Sequence, residues 1–102
     1  YAPEIKISLS AQDFRIRKNV GGSWTTLAYE SVNLSYNTWY KVEAYVDGLN
    51  NIQKVWRDGV LKFETNDTDI TSFKQVRFTV FDNSTSSTQS GKFKGEVIII
   101  YE

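Results

Sequence analysis

The sequence predicts an all-β domain that folds as an antiparallel β-sandwich of about seven or eight strands. Short segments alternate apolar and polar residues, which is the period-two pattern of half-buried strands. Asp58-Gly59 stands between two apolar segments. This dipeptide is the strongest short-range hairpin signal, because both central residues of a type I′ turn need positive φ. Residues 37–64 contain three such segments, two turns and no helix signal, and sequential hairpins imply an antiparallel sheet.

The predicted strands follow one another along the chain and are separated by turn-forming residues. Glu4–Leu9 alternates cleanly, with its three large apolar residues on one face. Gly21-Gly22 marks a second hairpin, and the polar residues 82–91 form a loop. The remaining strands are expected, in chain order, at residues 14–18, 23–27, 39–46, 52–57, 60–63, 76–81 and 92–101. This number and spacing of short strands is typical of a sandwich.

Composition bounds the organisation and the partners. A chain of 102 residues forms one domain, residues 1–102. Twelve basic and twelve acidic residues cancel, so the overall charge does not favour nucleic acid or an anionic membrane as a partner. No apolar segment approaches the ~20 residues of a membrane-spanning helix, so membrane insertion is not expected.

The absence of histidine and cysteine excludes several kinds of catalytic site. Without them the chain has no Ser-His-Asp triad, no Cys-His dyad, no His-ligated zinc and no disulfide scaffold. Paired carboxylates remain, and Asp67 and Asp69 have the spacing of two acids on one strand face. They lie in a polar loop, however, where solvated acids are the ordinary interpretation. We therefore expect a protein that is not an enzyme.

Residues 37–64, NTWYKVEAYVDGLNNIQKVWRDGVLKFE, resemble the C-terminal half of a concanavalin A-like or laminin G-like jelly-roll domain. The Gly-turn hairpin around Gly21-Gly22 extends the likeness, which covers about residues 12–102. The resemblance implies a jelly-roll sandwich, a position in the core for Trp39, and an extracellular or cell-surface location. The chain is shorter than a full member of that class. Either the domain is a compact variant or fragment that lacks N-terminal strands, or another copy or chain completes a sheet through its edge.

The resemblance also implies calcium as a cofactor held in the loops. Calcium prefers hard oxygen ligands from Asp, Asn and backbone carbonyls. Asp47 and Asn50 share one turn, and Asp82 begins another polar segment. The alternative is turn chemistry, because Asp and Asn tolerate left-handed backbone and bond to their own main chain.

Aromatic residues are the candidates for binding a glycan. Pyranose rings stack their C–H faces on Trp and Tyr, and polar side chains contact the hydroxyl groups around them. The candidate platforms are Trp24, Tyr29, Tyr36, Tyr45 and Trp56. Trp24 and Trp56 are equally compatible with the core. Tyr45 shares strand parity with Trp39, Lys41 and Glu43, so a buried Trp39 would share its face with charged residues unless a bulge intervenes.

Three Asn-x-Ser/Thr sequons lie in predicted loops, at Asn33, Asn66 and Asn83. They suggest a secreted glycoprotein.

Two functions fit these observations. The first is an extracellular, non-catalytic module that binds a glycan or glycoprotein. The alternative is a structural subunit of a filament, surface layer, capsid or appendage, which forms homo-oligomers through an open strand edge, with Glu4–Leu9 as the candidate edge.

Overall fold

The computed structural model describes residues 3–10, 12–35, 38–71 and 75–80, and of Gln75 and Val80 only the backbone. These residues form seven strands and no helix, which confirms the predicted all-β class. The strands are β1 (Glu4–Leu9), β2 (Asp13–Val20), β3 (Ser23–Ser31), β4 (Val42–Asp47), β5 (Ile52–Arg57), β6 (Val60–Thr65) and β7 (Gln75–Val80). The loop and strand expected at residues 82–101 lie outside the described residues. Within the described part of the chain, no helix is long and apolar enough to cross a membrane.

The seven strands form two sheets. The four-stranded sheet has the order β3-β2-β1-β7, and the three-stranded sheet has the order β4-β5-β6. Neighbouring strands are antiparallel except β1 and β7, which run parallel, a pairing that the hairpin signals do not predict.

Strand β1 is paired on both sides. Its backbone hydrogen-bonds to β2 on one side and to β7 on the other. The prediction that Glu4–Leu9 forms an open sheet edge is therefore wrong. Strand alternation identifies only the buried face of β1, whereas its neighbours depend on where β7 returns, which is a long-range property of the fold.

The two glycine turns have the predicted geometry. Asp58 and Gly59 have φ values of 51° and 78°, as a type I′ turn between β5 and β6 requires. Gly21 and Gly22 have φ values of 61° and 90° between β2 and β3. Positive φ strains most residues with a Cβ atom, so glycine at these positions relieves the turn of that strain.

The inner faces of the two sheets meet in one hydrophobic core. Its buried members are Ile5, Ile7, Phe14, Ile16, Val55, Phe63 and Ile70. Phe14 of the four-stranded sheet stacks on Phe63 of the three-stranded sheet, with ring centroids 4.9 Å apart and planes inclined by 29°. Such an offset aromatic pair adds about 0.5–1.5 kcal/mol to the stabilisation from buried area. The pair joins the sheets directly, as in a sandwich.

A buried glutamine fixes the segment that follows β6. Gln53 is completely buried in β5, and its Oε1 accepts hydrogen bonds from Thr65 Oγ1 (2.8 Å) and from the backbone N–H of Asp67 (2.9 Å). Its Nε2 donates to the backbone oxygen of Asp67 at 3.3 Å. The side chain thus satisfies its own polar atoms while it pins the turn that carries Ile70 into the core.

We predict that Gln53→Leu lowers the free energy of unfolding by about 1–3 kcal/mol. Leucine matches the volume but leaves the Thr65 hydroxyl and the Asp67 amide without their buried acceptor. Urea unfolding followed by Trp fluorescence measures the change. Thr65→Val is the matched control, because it removes one donor and leaves Gln53 in place, and it should cost less. A Gln53→Leu protein as stable as the wild type would contradict this role.

Candidate functional site

The aromatic residues predicted to bind sugars lie on two opposite surfaces. Trp24 and Tyr29 lie on the outer face of the four-stranded sheet, as β2–β3 pairing and alternation with the core residues require. Tyr45 and Trp56 lie on the outer face of the three-stranded sheet. Tyr36 is outside the described residues. The five candidates therefore do not form a single site.

Trp39 lies at the surface and not in the core, so the expectation from the resemblance is wrong at this residue. Its exposed fraction is 65%, and Lys41, Glu43 and Tyr45, at the same parity, are exposed as well. The alternate residues Val42, Ala44 and Val46 pack against the core. The β4–β5 register is continuous from Val42 to Asp47, and Trp39 lies three residues before this strand. The charged residues at alternate positions after Trp39, Lys41 and Glu43, predict its exposure. The core position implied by the resemblance does not.

Strand β4 begins at Val42, three residues later than predicted, and Asp58 binds the backbone of the residue before it. The Asp58 carboxylate accepts the backbone N–H of Lys41 at 2.8 Å, and the Asp58 N–H donates to the Lys41 backbone oxygen at 2.8 Å. Trp39, Tyr40, Lys41 and Asp58 line an open surface pocket of about 320 Å³. The Tyr40 hydroxyl accepts the backbone N–H of Ser35 at 2.8 Å, which fixes that side of the pocket.

The charges on the outer face of the three-stranded sheet cancel in pairs. Lys41 Nζ lies 3.6 Å from Glu43 Oε1, and Lys54 Nζ lies 3.7 Å from Glu64 Oε1. The cross-strand register places Trp56 beside Glu43 and Tyr45 beside Lys54. This surface therefore presents aromatic side chains among locally neutralised charges.

The aromatic rings on the other face contact cations. Lys6 Nζ lies 5.3 Å and Arg17 Cζ lies 5.4 Å from the centre of the Trp24 ring. Arg15 Cζ lies 5.1 Å from the centre of the exposed Tyr29 ring. Cations attracted to an aromatic face occupy the surface on which a sugar would stack. Trp24 and Tyr29 are therefore weaker stacking platforms than Trp39.

The predicted calcium residues Asp47 and Asn50 bind each other within one turn. The Asp47 carboxylate accepts the backbone N–H groups of Leu49 and Asn50 at 3.0 and 3.1 Å, the Asn50 side-chain amide at 2.8 Å, and the Tyr45 hydroxyl at 3.0 Å. These bonds, the Asn50 amide first, lower the pKa of Asp47. Both carboxylate oxygens thus serve the turn. Asp82 is outside the described residues, which contain no cluster of three or more acidic side chains able to hold a metal.

Asp67 and Asp69 bind a lysine from the opposite sheet. Lys18 Nζ lies 2.7 Å from an oxygen of each carboxylate, and these two hydrogen bonds raise the lysine pKa. Because Lys18 belongs to β2 and the two aspartates follow β6, the ammonium joins the two sheets at one end of the sandwich. These acids therefore take part in a contact between the two sheets.

Glu30 forms a second ionic contact between the sheets. Its carboxylate lies 2.7 Å from Arg57 Nη1 and 3.5 Å from Lys62 Nζ. The hydrogen bond from Arg57 is the main reason that the pKa of Glu30 is lowered. The sequence does not predict either of these two ionic clusters. Sequence spacing does not reveal which loops face each other across a sandwich.

Two of the three sequons fall in described segments. Asn33 is exposed after β3, and Asn66 is exposed after β6, where its side-chain amide donates to the Asn51 backbone oxygen at 3.1 Å. Asn83 lies outside the described residues. Glycosylation at these positions stays a prediction.

Comparison of this chain with protein-family models, with curated proteins and with solved structures gives no match. The resemblance to concanavalin A-like domains consequently stays a prediction, and functional inference depends on the surfaces described above.

We predict that Glu30→Gln destabilises the protein at neutral pH by about 0.5–1 kcal/mol, the range of a partly exposed ion pair. A lowered folded-state pKa contributes stability that is present above the ordinary carboxyl pKa and is lost as the pH falls through the lowered value. The difference between wild type and Glu30→Gln in urea unfolding should therefore shrink as the pH is lowered through that range. Glu43→Gln, which removes an exposed partner of Lys41, should show a smaller effect. A difference that stays constant down to strong acid would contradict the assignment.

Proposed function

We propose that the domain is a non-catalytic carbohydrate-binding module that acts outside the cell or at its surface. The outer face of the three-stranded sheet is the surface we assign to the ligand. The observation that carries this proposal is Trp39, a tryptophan exposed to 65% that borders a surface pocket of about 320 Å³. A large exposed aromatic side chain on a folded domain is a common mark of a binding surface.

The chemistry of this surface suits an uncharged sugar. The indole face of Trp39 offers a stacking surface for pyranose C–H groups. Asp58 and Tyr40 at the pocket supply oxygen atoms for hydrogen bonds with sugar hydroxyls. The nearby Lys41–Glu43 and Lys54–Glu64 pairs leave little net charge to attract an ion. Tyr45 and Trp56 extend the aromatic character along β4 and β5.

Binding without hydrolysis fits the acidic residues of this pocket. Glycoside hydrolases use two carboxyl groups on either side of the scissile bond. Among the residues that line the pocket, only Asp58 carries a carboxylate, and that carboxylate is hydrogen-bonded to the backbone of Lys41. This arrangement supports a binding role for the surface.

We predict that Trp39→Ala abolishes or weakens sugar binding at least tenfold, which corresponds to about 1.4 kcal/mol. The measurement is affinity electrophoresis through gels that contain neutral polysaccharides: xylan, mannan, β-glucan and dextran, each in its own gel. Because Trp39 is exposed, its replacement should change the free energy of unfolding by less than about 0.5 kcal/mol.

Trp24→Ala is the matched control, since it removes an indole from the opposite face. It should keep wild-type retardation in the gel that retards the wild type. Equal loss in both variants, or no retardation of the wild type by any neutral polysaccharide, would contradict the proposed site.

A further inference from the structure

We propose that the outer face of the four-stranded sheet carries a second site, formed by Lys6, Arg17 and Trp24, that binds an acidic polysaccharide. It lies on the opposite side of the sandwich from the proposed neutral-sugar site and does not depend on it.

Lys6 and Arg17 differ from every other lysine and arginine in the described residues. Those other cations each have a carboxylate within 4 Å: Arg15, Lys18, Lys41, Lys54, Arg57, Lys62 and Arg77. Within the same residues, Lys6 and Arg17 have none, and both side chains are half-buried. An anion from outside the domain would give these two cations the kind of partner that the other described cations already have.

Lys6 and Arg17, which have no carboxylate partner among the described residues, are direct neighbours. Lys6 of β1 is the cross-strand partner of Arg17 of β2, and on its other side Lys6 lies beside Arg77 of β7. Arg77 is bound to Glu4 at 3.3 Å. Like charges opposite each other destabilise a sheet, and adjacent strands are only ~4.8 Å apart. This row of cations costs stability in the free protein, and a bound anion would offset that cost.

Trp24 holds both cations without neutralising them. The Lys6 ammonium and the Arg17 guanidinium each lie about 5 Å from the centre of its ring, at 5.3 and 5.4 Å. A cation–π contact at a partly exposed site is worth about 0.5–1 kcal/mol and leaves the positive charge in place. The indole therefore positions two cationic groups at one point on the face.

Two polar atoms at this point have no hydrogen-bond partner in the part of the chain that the structure describes. Arg17 Nε, a donor, and Asn19 Oδ1, an acceptor, are both buried and unsatisfied within the described structure. Asn19 is the cross-strand partner of Trp24, so both atoms belong to the same cluster. Because both atoms are enclosed, they mark a strained part of this face and are not themselves the ligand's contacts. A sugar carboxylate or sulfate would instead bind the charged ends of the half-exposed Lys6 and Arg17 side chains.

The position of the cluster disfavours the other polyanions. Peptides usually join a sheet at its edge, whereas Lys6 and Arg17 are on the two central strands of the four-stranded sheet. Tight binding of nucleic acid usually needs about six to ten phosphate contacts. Here Glu4 and Asp13 flank the row with negative charge on the same face. A polysaccharide with spaced charges and hydroxyl groups is the ligand that this surface fits.

The test is the affinity of the full chain for polygalacturonate, dextran sulfate and neutral dextran, measured by isothermal titration at low ionic strength. We expect binding to at least one acidic polymer, and any binding of dextran should be unchanged by replacement of Lys6 or Arg17. The affinities for polygalacturonate and dextran sulfate show whether the site prefers a carboxylate or a sulfate group. Lys6→Gln and Arg17→Gln should each weaken that binding at least tenfold. Lys54→Gln makes the same change in net charge on the opposite face, and it should alter the affinity less than twofold.

Three results would overturn the proposal. They are equal weakening by Lys54→Gln, tighter binding of poly-L-glutamate or single-stranded DNA than of either acidic polysaccharide, and no binding of either acidic polysaccharide.

Thermal unfolding of the free protein separates this role from a structural one. Arg17→Gln relieves charge repulsion and loses one cation–π contact with Trp24, two effects of opposite sign, so its melting temperature should stay within about 4 °C of the wild-type value. A melting temperature below that range would show that Arg17 supports the fold, and would also overturn the proposal.

Discussion

The stacking of Phe14 on Phe63 is the contact on which the rest of the sandwich depends. It joins one strand of each sheet at a centroid distance of 4.9 Å. Arg57 lies over the same Phe14 ring at 5.1 Å and binds Glu30, which is the cross-strand partner of Phe14. An apolar contact, a cation–π contact and an ion pair therefore meet at one place. Because they involve both sheets, they fix which face of each sheet turns inward.

That choice determines the character of both outer surfaces. With period-two alternation, a buried Phe14 and Ile16 place Arg15 and Arg17 outward on β2. In the same way, the inward Val42 and Ala44 place Glu43 and Tyr45 outward on β4. Lys41 and Lys54 have carboxylates at neighbouring positions, whereas among the described residues Lys6 and Arg17 have none. The two faces consequently differ in how their charges are paired within the described part of the chain, although the same core produces both.

The sequence predicted most of what depends on neighbouring residues. The type I′ turn at Asp58-Gly59, the alternation of β1 and the bounds of β5 all follow from local backbone chemistry, and the structure has them. The errors concern long-range geometry. Nothing local distinguishes a central β1 from an edge β1, because the parallel neighbour β7 lies far along the chain. Lys18 likewise shows no local sign that it reaches Asp67 and Asp69.

Trp39 is the informative case for the candidate site. Its family position predicted burial, while the charged residues of the same parity, Lys41 and Glu43, predicted exposure. In the structure Trp39 is exposed, as Lys41 and Glu43 are, although it lies three residues before β4 begins. A physical pattern in the chain itself thus outweighed an analogy. The residue that the analogy assigned to the core became the centre of the proposed sugar-binding surface.

Net charge does not describe how charge is distributed over the surface. Twelve basic and twelve acidic residues cancel over the whole chain, so nucleic acid and an anionic membrane were not expected as partners. A sum over the chain does not record which charges are paired, however. Acidic groups such as Asp67, Asp69 and Glu30 are engaged by Lys18 and Arg57 in contacts between the sheets. Since these acids neutralise cations elsewhere, Lys6 and Arg17 remain without carboxylate partners among the described residues. A neutral protein can thus present a local cationic surface, and the structural contacts of its acids decide where that surface lies.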